Sequence, residues 1–173
     1  MKDEIHAVDD VVLILHREIP GYSGYTDGNT RDKSDNELRH YLIKKLDFIF
    51  AQFNKKQDQL LSIGGDEYQE MVNNISQSMR AITQSLKNPC YCSNQGKIAN
   101  NKLSQQEIEQ LHKYDVQLME HLQILEDEIT HLPDQFSEHE LPDLLAHVYD
   151  LIDGFNQSLT EREFIFLGQE DEI

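Results

Sequence analysis

Cysteine is nearly absent from this chain, with two residues in 173, Cys90 and Cys92, one position apart. A pair that close cannot staple distant segments and supplies half a metal site at most, so both read as reduced thiols of a cytoplasmic protein. Breakers are scarce too. Most of the 4 prolines and 8 glycines gather at residues 20–28, 64–65 and 89–96, leaving long uninterrupted stretches that favour helices over short strands. Long apolar runs are missing: the stretch 11–15 is too short for a signal core or a membrane span, and the start is acidic at Asp3 and Glu4. The expectation is a chain neither exported nor membrane-inserted. No Gly-rich phosphate loop and no nucleophile elbow is present.

Positive charge is missing from one half only. Residues 1–102 carry 13 Lys+Arg against 14 Asp+Glu, whereas residues 103–173 carry 2 against 18. A net of 2 − 18 = −16 over that half repels phosphate backbones and anionic headgroups, which argues against nucleic acid and membrane as partners and is compatible with a basic partner or with solubility alone.

What is present is helical periodicity. Ile5, Val8, Val12, Leu15 and Ile19 step by 3 and 4 residues, predicting a first helix over about 2–18, broken at Pro20. A Gly-rich connector follows to Lys33. Asp35 is placed to cap a second helix whose seam is Leu38, Leu42, Leu46, Ile49, Phe53 and Leu60, with Ile43, Phe48 and Phe50 widening its apolar face. Gly64-Gly65 ends it, and Asp66 opens a third helix with Tyr68, Val72, Ile75, Met79, Ile82 and Leu86 on one stripe, antiparallel to the second. Ser104 and Glu107 form a capping box for the fourth helix. Its frame, Ile108, Leu111, Asp115, Leu118, Leu122, Leu125, Ile129 and Leu132, is heptad-like with one polar member. Pro133 stops it, and Leu141, Leu144, Val148, Ile152, Phe155 and Leu159 supply a fifth face. The fold class expected is all-α: an up-down-up-down four-helix bundle of long helices plus a short N-terminal helix. One domain fills 1–173, with residues 1–34 as helix and connector, 35–167 as the bundle and 168–173 as a frayed tail.

Three Glu-x-x-His pairs evoke di-iron bundles: Glu37 with His40, Glu109 with His112, and Glu128 with His131. The frame sets His40 opposite its seam, Glu109 and Glu128 beside or behind theirs, and His131 outside, while Leu and Ile own the interior. A metal centre at Glu109, His112, Glu128 and His131 is therefore the alternative reading, and no cofactor is expected. The acidic pairs Glu67/Glu70 and Asp150/Asp153 imitate magnesium-binding bundles poorly, having no matching second pair. Asp115 is a carboxylate at a core position and needs a partner, expected to be a Tyr, Ser or Lys of a facing helix; a ligand or proton-transfer role is the other reading.

In the connector, Pro20-Gly21-Tyr22-Ser23-Gly24-Tyr25 suits either a loop folded back on the bundle or an aromatic recognition surface. Arg31, Lys33, Arg39, Lys44 and Lys45 make it locally basic, fit to meet the acidic half within the chain or across subunits. The motif Ile19-Pro20-Gly21-Tyr22-x-Gly24-Tyr25, then a run with Arg31, then Asp35-x-x-Leu38-Arg39 resembles the signature of uncharacterised bacterial helical proteins. The resemblance covers about 20 residues of 173. It implies a helical fold and no known activity. The function expected is a non-enzymatic interaction or scaffold module, using an exposed helix face or Tyr22, Tyr25, Arg31 and Arg39 to bind a protein or a second copy of itself.

Overall fold

The computed structural model describes residues 11–64, 66–90, 103–132 and 140–167. All the elements among them are helices: α1 (11–18), α2 (Gly28–Gly64), α3 (Asp66–Lys87), α4 (Gln105–Thr130) and α5 (Leu141–Leu167). The predicted frayed tail, Cys92 and the first nine residues of the predicted α1 lie outside the described residues. None of the described helices is long and apolar enough to cross a membrane.

Four long helices alternate in direction and pack as a bundle, α4 against α5, α2 against α3, α2 against α4 and α3 against α5. The ring order is thus α2–α3–α5–α4, and the connection from α3 to α4 joins diagonal corners. Cross-contacts fix the directions: Lys45 Nζ donates to Glu126 Oε2 at 2.6 Å, and Lys56 donates to the Leu132 carbonyl, so α2 and α4 run parallel. The first of these contacts joins the basic segment to the acidic half, as charge complementarity anticipates. α1 lies on the α2–α4 side, since Glu18 and Glu126 both act on Tyr41.

Every seam residue predicted for α2, α3 and α4 is buried, including Asp115 and Leu132. The reason is the 3-4 spacing itself, which keeps one stripe facing inward over many turns. Both halves of the capping box form: the Ser104 side chain accepts from the Glu107 N–H, and Glu107 accepts from the Ser104 N–H at 2.6 Å.

Two boundaries differ from expectation. α2 begins at Gly28, not after Asp35, because Asp27 takes the capping role: its Oδ1 accepts from the Asn29 N–H at 2.9 Å. Asp35 is therefore two turns inside a helix and fully buried. On α5 the inward residue is Leu145, with Leu144 half-buried beside it. The α5 stripe is Leu141, Leu145, Val148, Ile152, Phe155, Leu159, Arg162 and Phe166, in strict 4-3 alternation. That frame becomes visible only when a charged residue, Arg162, is admitted to an inward position.

Candidate functional site

Beneath the segment joining α1 to α2, the bundle interior turns polar. Tyr22 and Tyr25 each donate a hydroxyl hydrogen bond to Asp115 Oδ2 at 2.7 Å. Arg162 Nε donates to Asp115 Oδ1 at 2.6 Å, so one carboxylate accepts from three side chains drawn from the loop and α5. The same guanidinium reaches Tyr25 Oη at 2.7 Å and Asp35 Oδ1 at 2.8 Å through Nη2. Asp35 Oδ2 in turn accepts from Arg39 Nε at 2.8 Å, and Arg39 Nη1 donates to the Leu86 carbonyl at the end of α3, 3.2 Å away. Two carboxylates and two guanidinium groups balance, and all four long helices and the loop are tied into one network.

The local sequence explains the geometry. Gly21 and Gly24 adopt φ of +88° and +79°, conformations that L side chains rarely hold, and these bends point both tyrosines inward. Arg31 Nε clamps the turn by donating to the Tyr25 carbonyl at 2.5 Å, and the Ser23 N–H donates to Ser34 Oγ at 3.0 Å. The Tyr22 and Tyr25 rings meet edge to face, 5.8 Å between centroids. Burial, with the neighbouring Asp115 charge adding to it, pushes the Tyr22 hydroxyl far above the usual tyrosine range; burial raises Tyr25 as well, against the opposing pull of Arg162. Both hydroxyls therefore stay protonated and act as donors to Asp115.

Tyr22, Tyr25, Arg31 and Arg39 were candidates for an external recognition surface. The structure buries all four and takes the other branch, a loop folded back on the bundle. The physical cause is Asp115: a carboxylate at a core position is costly unless it gathers donors, and the tyrosines are the donors within reach. Arg39 pairs with Asp35 and Asn36 of its own helix, and its charge also acts on Glu163 of α5. The residues of the Tyr-Gly-Tyr … Asp … Arg signature are thus the parts of this network.

The Glu/His pairs do not converge. Both pairs of the alternative reading lie on α4, where His112 and His131 are 19 residues, roughly 28 Å, apart along one helix. His131 is exposed and its Nδ1 contacts the Asp127 carbonyl at 2.8 Å; Glu128 lies 3.8 Å from His147 on α5. His40 is exposed, as its place on the wheel predicts. Among the described residues, no three His, Cys, Asp or Glu side chains meet in a way that would hold a metal ion. Near the end of α3, Cys90 is an exposed thiol that donates to Glu163 Oε2 at 3.2 Å; burial raises the Glu163 carboxyl above the usual range.

His112 departs from its expected surroundings. It is 3% exposed, stacked on Tyr25 at 5.4 Å and covered by Gly24, and neither ring nitrogen has a hydrogen-bond partner. Burial lowers its pKa from the usual 6.5, outweighing the upward pull of Asp115 and Glu109, while His16 pushes the same way as burial. The folded state therefore prefers the neutral ring. Between the lowered value and about 6.5 the unfolded chain binds more protons, so stability rises with pH across that window and falls as pH drops through it. Chemical denaturation at pH 5 and pH 7.5 checks this: His112→Phe, which keeps the stack and removes the nitrogens, is expected to reduce the pH dependence. An unchanged pH dependence in the variant assigns the effect to other groups.

Comparison with family models, curated proteins and solved structures gives no match for this chain, so the resemblance of residues 19–39 rests on those residues alone.

Proposed function

We propose that the protein is a non-enzymatic interaction module that docks a basic protein partner on the outer face of α4 and α5. One observation carries this reading. Of the two cations in residues 103–173, Arg162 is buried in the network, leaving Lys113 as the sole counterweight on the surface of that half. The exposed carboxylates of the two helices include Glu120 and Asp127 of α4 and Asp143, Asp150, Asp153 and Glu161 of α5. Spacings of seven and eleven residues set Glu120 with Asp127, and Asp143 with Asp150 and Glu161, on one outer stripe of each helix. Lys45 of α2 acts on Asp127 alone among them, and like charge gathered on adjacent rods raises the local potential and steers a partner of opposite sign. The polar interior supports the same division of labour, because Asp115 spends its acceptor capacity on Tyr22, Tyr25 and Arg162 and so serves the fold.

Cross-linking mass spectrometry on the tagged protein in an extract of its source cell tests the proposal. Cross-linked partner peptides rich in Lys and Arg are expected on α4 and α5. They should fall at least tenfold when Glu120, Asp127, Asp150 and Glu161 are replaced together by their amides, a change that leaves the helical circular dichroism intact. A partner held equally well by that variant, or cross-links confined to copies of the chain itself, overturns the proposal.

A further inference from the structure

The α3–α5 side of the bundle carries a cleft of about 110 Å³ lined by Ser78, Ala81 and Ile82 of α3 and by Tyr149, Ile152, Asp153 and Asn156 of α5. Its origin is steric. Ser78 and Ala81 have short side chains on the flank of α3 that meets α5, so the two parallel helices leave a gap above the buried Ile82 and Ile152. A floor of two isoleucines, one exposed tyrosine ring and a rim of one carboxylate and one amide is a mixed surface: apolar at depth, acidic at the edge. Ligand sites for cofactor-sized molecules run to roughly 300–1,000 Å³, so this cleft has room for a single extended side chain.

The rim charge is not neutralised from within. The arginine of α3 nearest in sequence, Arg80, turns away from α5 and lies over the Phe50 ring of α2, 5.3 Å from its centroid. Asp153 has no ion pair or hydrogen bond within the described residues. On the α5 wheel it sits roughly 60–80° from the outer stripe of Asp143, Asp150 and Glu161, on the side toward α3, so the cleft opens at the edge of the acidic face.

We infer that this cleft is the anchor point of the interaction, taking one arginine side chain from a basic segment of the partner; the inference rests on the reading of the α4–α5 face as a docking surface. The methylene stem lies on Ile82 and Ile152, the guanidinium stacks on Tyr149, and its fork donates to the Asp153 carboxylate and the Asn156 side-chain carbonyl. Arginine fits better than lysine because a planar fork pairs with a carboxylate and stacks on an aromatic face at the same time, which a compact ammonium cannot do. One anchored side chain inside a broad charged face matches the usual distribution of binding energy, with a central contact carrying much of it and the rim carrying little.

The test is a two-dimensional amide NMR titration of the full chain with N-acetyl-arginine amide and with its citrulline counterpart, which has the same shape without the charge. Arginine is expected to shift the amides of Ser78, Ala81, Ile82, Ile152 and Asp153 saturably, and citrulline at least fivefold more weakly. Asp153→Asn should weaken arginine at least fivefold and Ala81→Leu, which fills the cleft without altering charge, should abolish the shifts. Asp47→Asn, an exposed carboxylate of α2 outside both the cleft and the docking face, should change affinity less than twofold. Equal binding of citrulline, insensitivity to both cleft variants, or shifts spread evenly over α4 and α5 would overturn the anchor. The last result leaves the docking face standing; absence of any shift, together with cross-links unaffected by the amide variant, removes both.

Discussion

Arg162→Met is expected to destabilise the protein by about 3–5 kcal/mol, the penalty for breaking a buried ion pair by removing one partner. Arg162 is fully buried and its guanidinium is shared between Asp115 and Asp35 at 2.6 and 2.8 Å. Methionine fills a similar volume and keeps contact with Phe166, whose ring lies 5.1 Å from the guanidinium carbon, so the loss reports charge and not a cavity. Asp115 then keeps only its two tyrosine donors, and Asp35 keeps Arg39. For a chain of this length, each kcal/mol moves Tm by roughly 2–4 °C, so a thermal melt should show a drop on the order of 10 °C. Arg162→Lys keeps the charge but not the fork and should fall between. A methionine variant as stable as the parent would contradict this, because it would mean that Asp115 and Asp35 lose nothing when the guanidinium between them is removed.

Asp115→Ala should cost a similar amount, about 3–5 kcal/mol, by a different route. It removes the acceptor of the Tyr22 and Tyr25 hydroxyls and of Arg162 Nε at once, leaving Arg162 with Asp35 and Tyr25, and those two tyrosines hold the segment that leads back to α1. Its distinguishing effect is local. Hydrogen exchange should accelerate at residues 19–27 while the α2–α3 pair retains protection, because the loop loses its anchor and the apolar seams of the long helices do not. In the double variant Asp115→Ala with Arg162→Met, the total loss should be smaller than the sum of the singles by more than about 1 kcal/mol, the mark of a shared contact. Additive losses, or uniform exchange across the bundle, would contradict a network that acts as a latch.

Both effects come from residues whose legibility in the sequence differs. Asp115 was visible because it interrupts an otherwise apolar frame on α4. Arg162 occupies the equivalent interruption on α5, but the apolar pattern there ends at Leu159, and a frame drawn through apolar residues alone takes Leu144 near its start and omits the charge. Admitting charged residues to inward positions on both helices yields one acid and one base, an arrangement that burial itself calls for. Asp35 reads as a cap for a related reason: Asp is a common capping residue, and nothing local distinguishes it from one held inside by Arg39 of its own helix and Arg162 across the bundle. The burial of His112 is not local either: it depends on Gly24 and Tyr25, more than eighty residues earlier.

Residue order alone carries the helices, their inward stripes on α2, α3 and α4, the capping box at Ser104 and the concentration of acid after residue 102. These depend on spacing, on propensity within a few residues and on composition, all of which are local or additive. Packing across the bundle sets α3 and α4 on a diagonal, turns the Tyr22–Tyr25 loop inward, and lets Arg162 join Asp35 to Asp115. Those outcomes depend on which donors and acceptors meet across the bundle, and the free energy of a buried charge is set by its neighbours in space rather than in sequence.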